Sequence, residues 1–402
     1  MSGTWKAVEL MEGFYWVGAV DWDLRDFHGY STHRGTTYNA FLLEGRENIL
    51  FDTVKAPFFD QMIERIASVI DPSSVSVIVS NHSEMDHSGS LPAAVAAMKP
   101  GRVIASAAGA RNLSMQLGFE GVEVAADGSR TAAGDTELVF METKMLHWPD
   151  SMFTYIPSRK LLISQDAFGM HLATTRLFAD ANEESVLLEE AGRYYANILM
   201  PYSQLVERLL AKVASAGLDI EMIAPDHGPL WRSGTPTGPG WITGLYARWA
   251  AQAPGRKVVI AYDSMWRATE RMAHAVAEGA AEGGAVPVVC GLRSSHRSDV
   301  AAELLDAGAL LLGSPTLNGD VFPTVADLVC YLGGLKRRNL TGGAFGSYGW
   351  SGESVRRLEE ALTGMKVRML GTVACQFGPD AGALSRCRDL GGAAAASISG
   401  PA

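Results

Sequence analysis

Apolar and polar positions along the chain change rhythm once. In the N-terminal part, short apolar runs follow one another closely at Phe14–Val17, Tyr38–Leu43 and Asn48–Asp52, which predicts strands in quick succession. Val75–Ser80 then reads as a buried strand and Leu91–Met98 as a helix. Beyond the Pro/Gly-containing stretch Ala251–Arg256 the alternation becomes regular: strand Lys257–Tyr262, helix Thr269–Glu282, strand Val286–Val289, helix Asp299–Asp306, strand Ala309–Leu312. Strands alternating with helices imply a doubly wound parallel sheet, so the fold class is α/β with two domains, 1–252 and 253–402. There is no internal repeat or heptad run, and the small-residue tail Gly391–Ala402 is predicted to fray.

Length and charge narrow the function classes. The 402 residues are nearly three times a typical domain of about 150, which fits two domains. With 34 basic against 44 acidic side chains the net charge is −10, which opposes attraction to nucleic acid or anionic lipid. No apolar run approaches the roughly 18 residues that cross a bilayer, and the first residues lack a basic start with an apolar core, so a cytoplasmic location is expected. Cys290, Cys330, Cys375 and Cys387 form no C-x-x-C pair, which excludes an iron–sulfur module within this chain and suits small buried side chains or free thiols.

The densest chemistry is Asn81-His82-Ser83-Glu84-Met85-Asp86-His87, directly after the buried strand. In an extended loop residues two apart point the same way, so His82, Glu84 and Asp86 converge and His87 reaches a second point. Carboxylates this close repel each other unless a cation neutralises them. His147 follows the apolar run Thr136–Met141, Asp166 ends Leu161–Gln165, and His227 ends Ile220–Asp226. Taken singly these are common capping or surface residues; together they are what the edge of a metal pocket produces.

Three loops in the C-terminal part form a second constellation. Asp263–Thr269 runs from a strand into a helix start, where hydroxyls and backbone N–H groups make an anion site, and without G-x-G-x-x-G it suits a single phosphate. Gly313–Asp320 and Gly346–Glu353 follow later strands, with glycines that admit a flat ring and aromatics that stack on it.

The order His82-x-Glu84-x-Asp86-His87, His147, Asp166, His227 resembles the metallo-β-lactamase fold in its flavodiiron form. Asp21–Tyr30, Gly35–Asn39 and Leu146–Met152 extend the likeness over almost the whole chain, and the three later loops resemble a flavodoxin domain. Hydrolases of that superfamily carry histidine where this chain has Glu84; the extra carboxylate suits iron over zinc. The resemblance implies an αββα sandwich followed by a flavodoxin-like sheet. It implies that His82, Glu84 and His147 hold one iron, that Asp86, His87 and His227 hold the other, and that Asp166 bridges them. It makes His28 and Tyr195 hydrogen-bond or proton donors beside the diiron pair. It assigns flavin mononucleotide (FMN) to Ser264, Met265, Trp266, Arg267, Ala268, Thr269, Pro315, Thr316, Leu317, Asn318, Ser347, Tyr348, Gly349, Trp350 and Gly352. Arg267 there compensates for Ala268, which stands where the family often has a hydroxyl.

The implied activity is reduction of dioxygen to water or of nitric oxide to nitrous oxide, with FMN relaying electrons from a separate small carrier such as rubredoxin. The implied assembly is a head-to-tail homodimer or a dimer of dimers, one subunit's flavin lying beside the other's irons, with Trp148 and Trp350 at the junction. Two other readings fit the same elements: a zinc hydrolase fused to a flavodoxin domain, against which Glu84 stands, and an electron-carrier flavoprotein with a structural metal domain, which needs no clustered carboxylates.

Overall fold

The computed structural model describes residues 4–398. They form two compact units, one of residues 4–27, 32–194 and 204–247, the other of residues 28–31, 195–203 and 248–398.

The first unit is built on two sheets. A seven-stranded sheet runs in the order Val8–Met11, Phe14–Trp16, Phe41–Leu43, Asn48–Phe51, Val75–Ser80, Arg102–Ser106, Glu123–Ala125, and a six-stranded sheet in the order Arg130–Ala133, Thr136–Glu142, Met152–Ile156, Leu161–Gln165, Met222–Pro225, Trp231–Arg232. Alternate side chains of both, among them Phe14, Phe41, Phe51, Val79, Phe140, Ile163 and Ala224, share one buried core. The opposite face of the first sheet packs Leu42, Leu50 and Ile78 with Met62, Leu91 and Leu113 from three helices. This is why Val75–Ser80 carries apolar residues on both faces, at Val75, Val77, Ile78 and Val79: it is covered on both.

The expected single strand Tyr38–Leu43 is two. Thr36–Tyr38 pairs with Ala19–Asp21, while Phe41–Leu43 joins the large sheet. Asn39 breaks the run because its polar groups are spent on the chain around His227: its Nδ2 donates to the Pro225 and Gly228 carbonyls at 2.7 and 2.9 Å, and its backbone N–H to the Asp226 carbonyl at 2.7 Å.

The second unit holds five parallel strands in the order Val286–Gly291, Lys257–Tyr262, Ala307–Gly313, Thr341–Tyr348, Arg368–Gln376. Numbered along the chain this is 2-1-3-4-5, the flavodoxin-like winding, whose crevice opens where the order reverses beside Lys257–Tyr262. Helices Arg297–Glu303, Pro323–Leu335 and Glu353–Gly364 cover one face, and Ala268–Glu282 and Ala381–Ile398 the other.

The expected fraying of Gly391–Ala402 does not hold over the described part, since residues 391–398 complete the helix Ala381–Ile398. Its small residues serve close packing. A Cβ on Gly391 would lie 2.0 Å from the Val276 carbonyl oxygen, one on Gly279 2.0 Å from that of Arg388, and one on Gly283 2.5 Å from the Ala395 Cβ. The two helices therefore touch backbone to backbone. Residues 399–402 lie outside the described residues.

This contact gives a paired prediction. Gly391→Ala should destabilise the protein by about 1–3 kcal/mol through overpacking. Gly392→Ala, whose nearest neighbour is an ordinary 3.8 Å away, should be neutral or stabilising through helix propensity. Urea unfolding followed by circular dichroism checks both.

Candidate functional site

The strand Val75–Ser80 delivers the ligand loop, and its neighbour pins it. Asp52, just beyond the strand Asn48–Phe51 and in the left-handed region at φ 54°, accepts hydrogen bonds from the Asn81 backbone N–H and Nδ2, both at 2.7 Å. The Thr154 hydroxyl donates to Asn81 Oδ1 at 2.6 Å. Thr53 donates through its N–H and its hydroxyl to the His87 carbonyl. Met85–Ser88 then closes a single helical turn, with the Ser88 N–H on the Glu84 carbonyl at 2.8 Å.

That turn alters the convergence expected of an extended loop. Three groups of donor atoms form, each within 4.8 Å: His82, Glu84, His147 and Asp166; Asp86, His87 and His227; and, overlapping both, His87, Asp166 and Asp226. Asp86 thus sides with His87, because the helical turn rotates it away from the line through His82 and Glu84. Asp166 faces both groups, with Oδ2 at 3.2 Å from His82 Nε2 and 2.9 Å from His147 Nε2, and Oδ1 at 3.2 Å from His87 Nε2 and 3.5 Å from His227 Nε2. Every donor in the three groups is buried.

The electrostatics follow from that crowding. Burial lowers the basicity of His82, yet Asp150, Asp166 and Glu84 outweigh it and hold the ring well above its ordinary value. His87 and His147 are raised to about 9 against the same burial penalty, by Asp86 and Asp166 for the first and by Asp166 and Glu84 for the second. Burial opposes ionisation of Asp166, but His87, His147 and His82 hold it well below the carboxylate range. A field this negative in a buried place favours cations.

Sequence reasoning missed the groups behind the donors. Asp150 Oδ2 lies 3.3 Å from His82 Nδ1 and accepts from the Ser83 N–H at 2.6 Å. His171 is fully buried, its Nδ1 2.9 Å from Thr36 Oγ1 and its ring 4.6 Å from that of His227. Burial and His227 push it well below the ordinary histidine value, so it is neutral. The Tyr194 ring packs 5.2 Å from His171 and 6.4 Å from His227; burial, then Asp166, hold its hydroxyl well above the ordinary value and protonated. Only the YY pair in Tyr194-Tyr195 hinted at this.

Of the two tyrosines it is Tyr194, not the expected Tyr195, whose ring packs on His171 and His227. The helix Glu184–Tyr194 widens into a π-turn at Tyr195–Leu199, and consecutive helical residues point about 100° apart. Tyr195 donates its hydroxyl to Ser203 Oγ at 3.2 Å and packs on Trp249. His28 is exposed, at φ 55°, and groups with the second unit.

In the second unit, three loops and the chain after the last strand enclose a cavity of about 770 Å³. Of the expected residues, Ser264, Met265, Trp266, Ala268, Pro315, Thr316, Leu317, Asn318, Ser347, Tyr348, Gly349 and Trp350 line it. Phe377 and Gly378 join them from a fourth loop that the sequence reading overlooked. Three expected residues do not line it. The Arg267 guanidinium is paired with Glu270 at 2.9 Å, which leaves the supposed compensation for Ala268 without support. The Thr269 hydroxyl sits 3.2 Å from Ser347 Oγ. Gly352 lets the Tyr348 ring lie where a Cβ would stand, 2.9 Å from it.

Comparison with known proteins decides the family. Residues 36–228 match the model of the ODP family β-lactamase and residues 260–391 that of flavodoxin. A nitric oxide reductase of Moorella thermoacetica is 42% identical, covering 98% of this chain and 99% of its own. A rubredoxin-oxygen oxidoreductase of Megalodesulfovibrio gigas is 40% identical over 91% of this chain and 92% of its own. The flavodiiron protein of Giardia intestinalis superposes with a TM-score of 0.94 at 32% identity, covering 98% of this chain and 97% of that one. The chain belongs to the flavodiiron family.

The residues fit what a flavodiiron protein binds. Asp86 Oδ1 and Oδ2, His87 Nε2, His147 Nε2 and Asp166 Oδ1 are buried without hydrogen-bond partners, facing one another tip to tip as metal donors do. Three carboxylates among the donors make the set harder and more anionic than an imidazole-rich zinc site, which suits iron. Ser264 Oγ, at the cavity beside the N-terminus of the helix Ala268–Glu282, is likewise buried and unpartnered, as a phosphate-binding hydroxyl would be. Trp266 and Trp350 stand 89% and 92% exposed at the rim, large aromatic faces that a flavin ring would cover.

The rim predicts a separation of effects. Trp350→Ala should weaken FMN binding by about 1–3 kcal/mol, a range carried over from base stacking on aromatics, and leave iron content unchanged. Arg267→Ala should change FMN affinity far less, because that side chain is engaged with Glu270. Fluorescence titration of deflavinated protein and iron analysis check both.

Proposed function

We propose that this flavodiiron oxidoreductase reduces dioxygen to water or nitric oxide to nitrous oxide, with residues 1–252 carrying the irons and 253–402 the flavin. Electrons come from rubredoxin or a similar small carrier. The buried donor set in which Glu84 and Asp166 stand among His82 and His147 carries the reading; the relatives named for nitric oxide reduction and for rubredoxin-linked oxygen reduction support it. His82, Glu84 and His147 would hold one iron, Asp86, His87 and His227 the other, and Asp166 both.

When bound, the irons pass electrons to a small oxidant and the flavin resupplies them singly or in pairs. The chain sets the conditions for this. Glu84, Asp86 and Asp166 keep the site anionic enough to favour the more oxidised metal. Phe27, His171 and Tyr194 wall the His227 side with rings and exclude water. Tyr194, held protonated, is a donor beside that wall.

The assembly we propose is a head-to-tail homodimer, alone or as a dimer of dimers, with the exposed Trp350 and the half-buried Trp148, whose ring lies 5.4 Å from that of His82, at the electron-transfer junction. Four free thiols suit a cytoplasmic setting, and no helix among the described residues is long and apolar enough to cross a membrane.

Protein expressed anaerobically in iron-rich medium should be yellow, with about one flavin and about two irons per chain. It should consume either gas when supplied with reduced rubredoxin. Two zinc ions with thioester hydrolysis, or a flavin that is reduced yet passes nothing to either gas, would overturn the assignment.

The choice of gas depends on protons. Dioxygen takes up twice as many per turnover as a pair of nitric oxide molecules, so a lost donor weighs more on it. Tyr194→Phe should slow dioxygen reduction more than nitric oxide reduction, and Tyr195→Phe should leave the ratio unchanged. Steady-state rates for both gases, with iron content as control, test this.

A further inference from the structure

We infer that Asp226 is a positioning residue that fixes the His87 ring with Nε2 toward the metal. The inference rests on the ligand assignment just proposed and concerns a residue outside that set. Three imidazoles of the cluster show the same division of labour: Nε2 faces the carboxylates, and Nδ1 faces an acceptor built into the scaffold. For His82 the acceptor is Asp150 Oδ2 at 3.3 Å; for His227 it is the Thr37 carbonyl at 2.6 Å, with Thr36 Oγ1 at 3.2 Å. His87 turns Nε2 to Asp166 Oδ1 at 3.2 Å and Asp86 Oδ1 at 3.4 Å, and the group behind its Nδ1 is Asp226 Oδ2 at 3.6 Å.

Asp226 is fully buried, neither of its carboxylate oxygens has a hydrogen-bond partner, and neither does His87 Nδ1. The two orphaned groups face each other. Neither can drift: the Asp226 N–H donates to the Gln165 carbonyl at 2.9 Å, its own carbonyl accepts from the Asn39 N–H at 2.7 Å, and the His87 carbonyl is held by Thr53. A metal on Nε2 leaves the proton of a neutral imidazole on Nδ1, and Asp226 is the acceptor standing there. Without that acceptor the buried N–H is unsatisfied and the ring is free to rotate away from the metal.

Ferrous-ion titration against a colorimetric chelator, with Mössbauer spectra of the iron-57 protein, tests this in four proteins. Asp226→Leu should weaken one of two irons by about 10–100-fold, as loss of a ligand's hydrogen-bond partner does, and alter one quadrupole doublet while the other persists. Asp226→Asn, which keeps an oxygen acceptor, should lose much less. His87→Ala should lose the same iron, and adding Asp226→Leu to it should cost nothing further, because Asp226 acts through His87.

No loss in Asp226→Leu, equal loss in the Leu and Asn variants, or a loss that adds to that of His87→Ala would each overturn the inference. Should Asp226→Leu fail to fold, Asp226→Asn carries the test, with a shifted doublet expected when His87 is present and none when it is not. Absence of iron from the unsubstituted protein would instead sink the ligand assignment.

Discussion

Negative charge gathered in a buried place is the constraint on which the first unit depends. Glu84, Asp86 and Asp166 share one pocket with four imidazoles, and Asp52, Asp150 and Asp226 are buried around it. Burial, then repulsion from Asp52 and Asp166, pushes Asp226 well above the carboxylate range, and burial lifts Asp52 to about 6 against the Asn81 hydrogen bonds and the nearby His87 and His82 that favour its charge. Such a cluster disfavours the compact state unless cations enter it, so metal binding and folding of this unit are thermodynamically linked. The surrounding hydrogen bonds serve that end. Asp52 on Asn81, Asp150 on Ser83 and Thr37 on His227 hold donors in converging positions at which, left to themselves, like charges would separate.

The second unit solves a different problem. Its cavity is lined by loops at the C-terminal ends of parallel strands, and Trp266, Trp350 and Phe377 are exposed there. Leaving large aromatic surface in water is unfavourable, and a flat ring laid between such side chains removes it from water without demanding many polar contacts. The phosphate end needs little beyond a helix N-terminus and hydroxyls such as Ser264, and so the sequence can depart from a hydroxyl at Ala268 and still keep an anion site.

How much of this was legible depends on the range of the interactions involved. The strand Val75–Ser80, the helix Leu91–Met98 and the strand Lys257–Tyr262 stand where the apolar pattern put them, because burial on both faces or along one stripe writes itself into consecutive residues. That His82, Glu84, Asp86, His87, His147, Asp166 and His227 gather in one place was legible because charged residues at the ends of apolar runs are costly and hence conspicuous. Asp150, His171 and Asp226 were not, since a buried polar residue looks like any capping residue until the fold brings it beside an imidazole. Phe377 escaped for a related reason: it follows the fifth strand, whose loop carries no glycine-rich signal of its own until Gly378.

The two misplacements near helices share a cause. The resemblance gave Tyr195 without a helix face, and the π-turn at Tyr195–Leu199 departs from 3.6 residues per turn at the point where the choice between Tyr194 and Tyr195 matters. Likewise, the small residues of Gly391–Ile398 carry no apolar stripe, so the segment reads as a tail, although the absence of side chains is what lets it lie against Val276 and Ala280. In both places the information lies in what a neighbouring element excludes rather than in what the residue itself prefers. A π-turn lets one ring reach the wall of a metal pocket while the next points elsewhere, and a glycine stripe lets two helices meet at backbone distance. Sequence records such features as irregularity, and only the packed structure turns that irregularity into a position.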